Sequence, residues 1–175
     1  MIRTWLIDGP SGSGKTTHAV ALGARLGHRV VHMDDLYPGW WGLAEGSRIV
    51  AEEVLRMGAP GYYRWDWERD RPGEWVALPE GEPLIVEGVG AMTPATVAAA
   101  RRRGAVRTVL VTAPEGLRRR RALARDPYYE PWWETWARQE RVHFAAVAGL
   151  EPDERIDNGE DGGDGSVGGT GGAGG

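Results

Sequence analysis

The chain has 175 residues, 41% of them hydrophobic, and a formal net charge of −4, which is material for one core of ordinary domain size. It contains no cysteine, so disulfide frameworks, thiolate metal sites and sulfur redox chemistry are excluded. Three of the four excess negative charges fall on Glu160, Asp161 and Asp164; the remainder is nearly neutral and offers no general attraction to nucleic acid or to a membrane surface.

Taken in chain order, Ile2 to Ile7 reads as a buried strand and Lys15 to Leu26 as a helix closed by Gly27 in the left-handed region. The first residues carry no basic region followed by an apolar stretch and a cleavage site, and no run of about 18 apolar residues occurs, so a soluble, cytoplasmic protein is expected. "RVVHM" (29–33) reads as a β-branched strand stopping at Asp34 and Asp35, followed by the loop "LYPGWWGLAEG" and a helix that Ser47 is expected to cap, running to about Met57. Residues 58–80 read as irregular with a hairpin around "RDRPGE", and "PLIVEGVGA" as a core strand. Thr93 before Pro94 marks a helix start running to "ARRRG". "VRTVLVTA" (106–113) is a fourth strand, Pro114 to about Arg125 a helix, about Pro131 to Ala148 a longer one, and "ERID" a fifth short strand. Apolar strands alternating with helices predict a mainly parallel sheet covered on both faces. From Gly159 to Gly175 ten of seventeen residues are glycine, which predicts a disordered acidic tail after a single domain over 1–158.

Between the first strand and the first helix, "GPSGSGKTT" places Gly9, Pro10, Ser11, Gly12, Ser13, Gly14, Lys15, Thr16 and Thr17, a full match to the GxxxxGK[ST] (Walker A) pattern in the context that pattern requires. Glycines let the backbone curl so that several N–H groups converge on phosphate oxygens, the helix N-terminus adds positive potential, and Lys15 supplies a full charge. Thr16 would carry its hydroxyl to Mg²⁺, so ATP with Mg²⁺ is the expected ligand.

"RVVHMDDLYPGW" resembles the uridine kinase branch of the P-loop small-molecule kinases, whose second strand ends in an Asp followed by an aromatic residue. The resemblance implies a three-layer α/β/α P-loop NTPase fold with about five strands and an arginine-bearing helical lid, here 114–130. It implies that Asp34 accepts the proton of the acceptor hydroxyl near Mg²⁺, with Asp35 and Tyr37 beside it, and that Glu87, ending "LIVE", reaches Mg²⁺ or substrate. A purely structural ion pair is the other reading of Glu87, and a turn cap the other reading of Asp34.

"APEGLRRRRALARD" is similar to the family's lid. Arg118, Arg121 and Arg125 share one helix face, and Arg121 and Arg125 are the favoured phosphate contacts and catalytic charges. Asp66, between Trp65 and Trp67, is the nearest match to the family's acceptor-binding acid, although a tryptophan-rich hairpin packed on the core reads equally well. Trp133, Ala137, Phe144 and Val147 are spaced for one buried helix face, and His143 beside them reads as part of the packing.

The implied activity is transfer of the γ-phosphoryl of ATP to a hydroxyl of a nucleoside-like or other polyhydroxylated small molecule, with no nucleic-acid or membrane partner. Two alternatives stay open: an ATP-binding switch module without an acceptor, and a nucleoside monophosphate kinase, for which Arg64, Arg69 and Arg71 supply candidate positive charge.

Overall fold

The computed structural model describes residues 1–159; all but the first residue of the glycine-rich tail lies outside the described residues. The chain runs β1 (Thr4–Asp8), α1 (Lys15–Leu26), β2 (Arg29–His32), a 3₁₀ turn (Met33–Asp35), and α2 (Leu43–Ile49) continued by a π turn (Val50–Val54). The hairpin β3 (Gly61–Asp66) and β4 (Arg71–Ala77) follows, then β5 (Leu84–Glu87), α3 (Pro94–Arg103) and β6 (Val106–Thr112). α4 (Glu115–Arg125), a 3₁₀ segment (Pro127–Trp132), α5 (Trp133–Ala146) and β7 (Glu154–Asp157) complete it.

Five strands form one sheet in the order β2-β5-β1-β6-β7, every neighbouring pair parallel. The inner strands β1 and β5 are short, mostly apolar runs that are almost wholly buried, whereas the edge strand β7 has no buried residue. Ile7, Ile85, Val109 and Val111 pack with Ala19 and Leu22 of α1 on one side. Leu6, Val31 and Val86 pack with residues of α2, α3 and α5 on the other. The fold is thus the expected three-layer α/β/α arrangement. Because β1 connects outward to β2 while β5 returns between them, the topology switches beside β1, and the C-terminal ends of β1, β2 and β5 face one crevice, where open α/β sheets bind ligands.

The helix start at Thr93 is as expected: its hydroxyl accepts from Thr96 N while Thr96 Oγ1 accepts from Thr93 N, a reciprocal cap. Three expectations shift. Ser47 does not cap a helix; α2 begins four residues earlier, and Ser47 is buried within it, donating to Gly90 O at 2.8 Å. A serine inside a helix is tolerated here because that carbonyl satisfies it. Residues 61–77 form an antiparallel hairpin with a register shift between Tyr63 and Trp65 and its turn at 67–70, so "RPGE" lies in β4. α5 starts at Trp133, after the 3₁₀ segment.

Candidate functional site

The crevice floor is the loop from Gly9 to Thr16. Gly9, Gly12 and Gly14 have φ of 153°, 77° and 93°, a region open to glycine and strained for other residues. A Cβ on Gly12 would lie 2.2 Å from Arg118 O, so α4 and the loop touch backbone to backbone. Gly14 caps α1 with no side-chain hydrogen bond, and the first turn carries no acid. The helix N-terminus therefore keeps its positive end unmatched by a side chain. Ser13 Oγ is fully buried and has no hydrogen-bond partner, a cost that a phosphate oxygen would remove. Lys15 is buried and folds back so that Nζ donates to Pro10 O at 3.4 Å. A helix N-terminus with no acid in its first turn, an orphaned hydroxyl and a buried ammonium form a donor set suited to a polyphosphate, while the N–H groups of Gly9, Ser11 and Ser13 are held by Asp8, Glu140 and Pro10 O.

Beside the loop, Thr16 Oγ1 donates to Glu87 Oε1 at 3.0 Å, and the same oxygen lies 2.6 Å from His32 Nδ1. The bond to Glu87 raises the His32 pKa, burial opposing it. No group of three or more His, Asp or Glu side chains able to hold a metal occurs among the described residues. Magnesium in phosphoryl-transfer sites takes one or two carboxylates and completes its shell with phosphates and water; the Thr16–Glu87 pair fits that pattern.

Asp34 lies on the 3₁₀ turn after β2. Enclosure by the cleft walls raises its pKa and Lys15 pulls it down; the residue still counts as exposed to the solvent of the cleft, which limits the first effect. Its carbonyl accepts from Trp67 Nε1 at 2.9 Å, fixing the turn to the hairpin. Tyr37 is fully buried, with its hydroxyl donating to Val89 O at 2.7 Å, so it offers the cleft a ring and no free hydroxyl.

Asp34, Ser11 and Arg125 line a cavity of about 650 Å³. Its walls are aromatic. Trp40 stacks on Trp132 (5.4 Å, 4°) and on Tyr129 (5.2 Å, 20°) and tilts against Trp67 (5.2 Å).

The predicted residues are divided by this geometry. Gly9 to Thr16, Asp34, Tyr37, Glu87 and Arg125 gather at the crevice; Thr17 is exposed on α1. Arg121 donates to Asn158 O at 3.2 Å, whereas Arg118 reaches the loop, donating to Ser11 O at 3.2 Å and to Ala113 O at 2.9 Å. Arg64 is exposed on β3 and does not line the cavity. Asp66 does not line it either: as the last residue of β3 its carboxylate closes the hairpin turn, accepting from Arg69 N and Arg69 Nη1, each at 3.0 Å. The hairpin instead presents Trp67 and Glu68.

Sequence reading missed the polar supports. Asp8, fully buried at the end of β1, accepts from Gly9 N (2.7 Å), Gly90 N (3.1 Å) and Met92 N (2.9 Å) and pairs with His143 Nε2 (2.9 Å). Glu140 accepts from Ser11 N at 3.2 Å, and Tyr129 OH donates to Ser11 Oγ at 3.0 Å. The buried stripe of α5 is Trp133, Trp136, Glu140, His143, one face over from the expected one carrying Ala137 and Phe144, because this face meets the loop. An acid and a histidine three apart among tryptophans was the available signal.

No protein-family model matches the chain, and no curated protein matches it. Solved structures do. One similar structure is that of a possible uridine kinase from Bacillus stearothermophilus, with a TM-score of 0.57 at 18% identity, covering 88% of each chain. Another is a sugar kinase from Janibacter sp. HTCC2649, with a TM-score of 0.52 at 17% identity, covering 90% of this chain and 86% of that one. At such identities the likeness is one of fold, and the fold is that of the P-loop kinases. No helix among the described residues is long and apolar enough to cross a membrane.

Proposed function

We propose that the chain is an ATP-dependent kinase, similar to the uridine kinase branch, that transfers the γ-phosphoryl of ATP to a hydroxyl of a small molecule held in the aromatic cavity. The observation that carries this reading is that Ser11 of the glycine loop, Asp34 and Arg125 open onto one cavity. Phosphate-binding backbone, a carboxylate and a guanidinium thereby meet where an acceptor has room to lie. The solved structures of similar fold support it, being described as a possible uridine kinase and a sugar kinase.

In this reading residues 1–158 are the catalytic unit and 114–130 its lid. The loop Gly9 to Thr16 cradles the β- and γ-phosphates through the Lys15 ammonium and the N–H groups of Gly12, Gly14, Lys15 and Thr16, those of Gly9, Ser11 and Ser13 being held within the protein, with Thr17 following on the helix. Thr16 and Glu87, with Asp34 near, would hold Mg²⁺, which would supply neutralisation of phosphate charge. Asp34 accepts the proton of the attacking hydroxyl; a carboxylate whose pKa is raised toward neutrality is a better base for that step. Arg125 faces the charge that develops on the transferred group, and Arg118 holds the lid on the loop. Chemistry of this kind is positioning and electrostatics, and one such arginine can be worth about 10³ to 10⁵ in rate.

The test is ATP turnover by the purified protein against a panel of nucleosides, sugars and amino alcohols. Turnover is expected to be slow alone and to rise sharply with one class, since a site that hydrogen-bonds its substrate reaches about 10⁴ to 10⁵ in selectivity. Lys15→Ala is expected to abolish ATP binding. If no alcohol raises turnover while Lys15→Ala still abolishes binding, the chain is an ATP-binding switch module instead.

A further inference from the structure

We infer that the acceptor is a cationic alcohol, one carrying an ammonium group as well as the hydroxyl to be phosphorylated; this rests on the kinase reading and deepens it. Two features of the cavity point the same way. Its charged lining is three carboxylates, Asp34, Glu68 and Asp126, against the single guanidinium of Arg125. Neither Glu68 nor Asp126 has an ion-pair partner among the described residues: Asp126 accepts from the backbone of Tyr128 at 3.0 Å, and Glu68 projects from the hairpin turn. With Asp34 and Arg125 both assigned to the transfer step, Glu68 and Asp126 remain, and an anionic acceptor would face them with no further cation in the lining to answer them. The monophosphate alternative is disfavoured on the same ground, since Arg64, Arg69 and Arg71 are exposed on the hairpin and do not line the cavity.

The second feature is the wall itself. Trp67, Trp132 and Tyr128 line the cavity and remain exposed, while Trp40 between them holds Trp132 parallel at 5.4 Å and Trp67 tilted at 5.2 Å. Indole and phenol rings carry negative faces, and such surfaces attract ammonium groups, most strongly when water is displaced. A neutral sugar would gain ring contact here but would leave the surplus carboxylates unmatched, and a cation satisfies both. At about 650 Å³ the cavity admits a ligand well beyond the smallest amino alcohols.

The full-length protein, loaded with a nonhydrolysable ATP analogue and magnesium, is titrated with charge-matched pairs while tryptophan fluorescence is followed. The pairs are choline against 3,3-dimethylbutan-1-ol, and N-benzyl-N,N-dimethyl-2-hydroxyethylammonium against its carbon isostere. Each cation is expected to bind at least about ten-fold more tightly than its neutral partner. Trp132→Leu is expected to weaken the cation by roughly two- to thirty-fold and Trp132→Phe to restore part of it. Glu68→Gln, on an exposed turn where folding is not at risk, is expected to weaken the cation and leave the neutral partner unchanged. Equal binding of the two partners, tighter binding of the neutral one, or no binding of either overturns the inference. The same pairs are then offered with ATP. A neutral alcohol phosphorylated in preference to the cation leaves the kinase reading standing and ends this one. A cation that binds selectively while no alcohol of either pair is phosphorylated counts against the kinase reading and overturns the acceptor role with it.

Discussion

Around the glycine loop, the fixed groups are held by directional bonds to main chain: Asp8 takes three backbone N–H groups, Glu140 takes Ser11 N, and Arg118 donates to Ser11 O. Across the cleft the wall is held by ring on ring, with Trp40 meeting Tyr129, Trp132 and Trp67 at 5.2–5.4 Å, and two bonds, Trp67 Nε1 to Asp34 O and Tyr129 OH to Ser11 Oγ, tie it to the floor. Hydrogen bonds fix distance and angle, so a floor built from them suits a ligand that is the same in every turnover. Stacked rings give area with looser orientation, which suits the side where chemistry varies. The two halves therefore fail differently: a change in the floor should cost rate or stability outright, and a change in the wall should alter selectivity.

The sharpest break is expected at their junction. Asp34→Asn keeps shape and removes the proposed base, so turnover with the best acceptor should fall by about 10² or more, while ATP binding stays within a few fold. Steady-state kinetics with a separate nucleotide titration checks it. Equal losses in both would make Asp34 a metal ligand alone and move it wholly to the floor.

The second break lies beneath the loop. His143→Ala removes one donor from a fully buried carboxylate and leaves a void, at a cost of roughly 1–3 kcal/mol. At about 2–4 °C per kcal/mol for a chain of this length, the Tm falls by several degrees. His143→Gln, which keeps a donor, should recover part of the loss. A melt unchanged by His143→Ala would show that the three amides alone hold Asp8.

How much of this was legible follows the same division. The loop, its helix and the strands around it were readable because the signals are local: glycines at fixed offsets, apolar runs, Pro94 after Thr93. Asp34 and Glu87 were readable as acids at strand ends. Glu140 and His143 were not, because their partners Ser11 and Asp8 lie 129 and 135 residues away, and a helix stripe in sequence does not tell which of two adjacent faces meets the core. Asp66 misled for a related reason: an acid between two tryptophans looks aimed at a ligand until the turn that consumes it is seen. Ser47 shows the same limit in miniature, since its acceptor, Gly90 O, is 43 residues away.

The smallest effect tests whether the floor also carries a cost. Burial raises the Glu140 pKa, and the bonds to Ser11 with the charges of Lys15 and Arg118 only partly offset it. A carboxyl whose pKa is higher folded than unfolded binds the proton more tightly in the native state. Its contribution to stability is full below the ordinary glutamate range near pH 4.5 and is lost as pH rises through the raised value. Glu140→Gln cannot ionise and its amide oxygen can still accept from Ser11 N. The Tm of the variant minus that of the parent is therefore expected to grow by a few degrees from pH 4 to pH 7, read from thermal melts at matched ionic strength. If the parent gains on the variant instead, the Arg118 and Lys15 charges outweigh burial, and Glu140 belongs to the electrostatics of the phosphate site more than to the packing of α5.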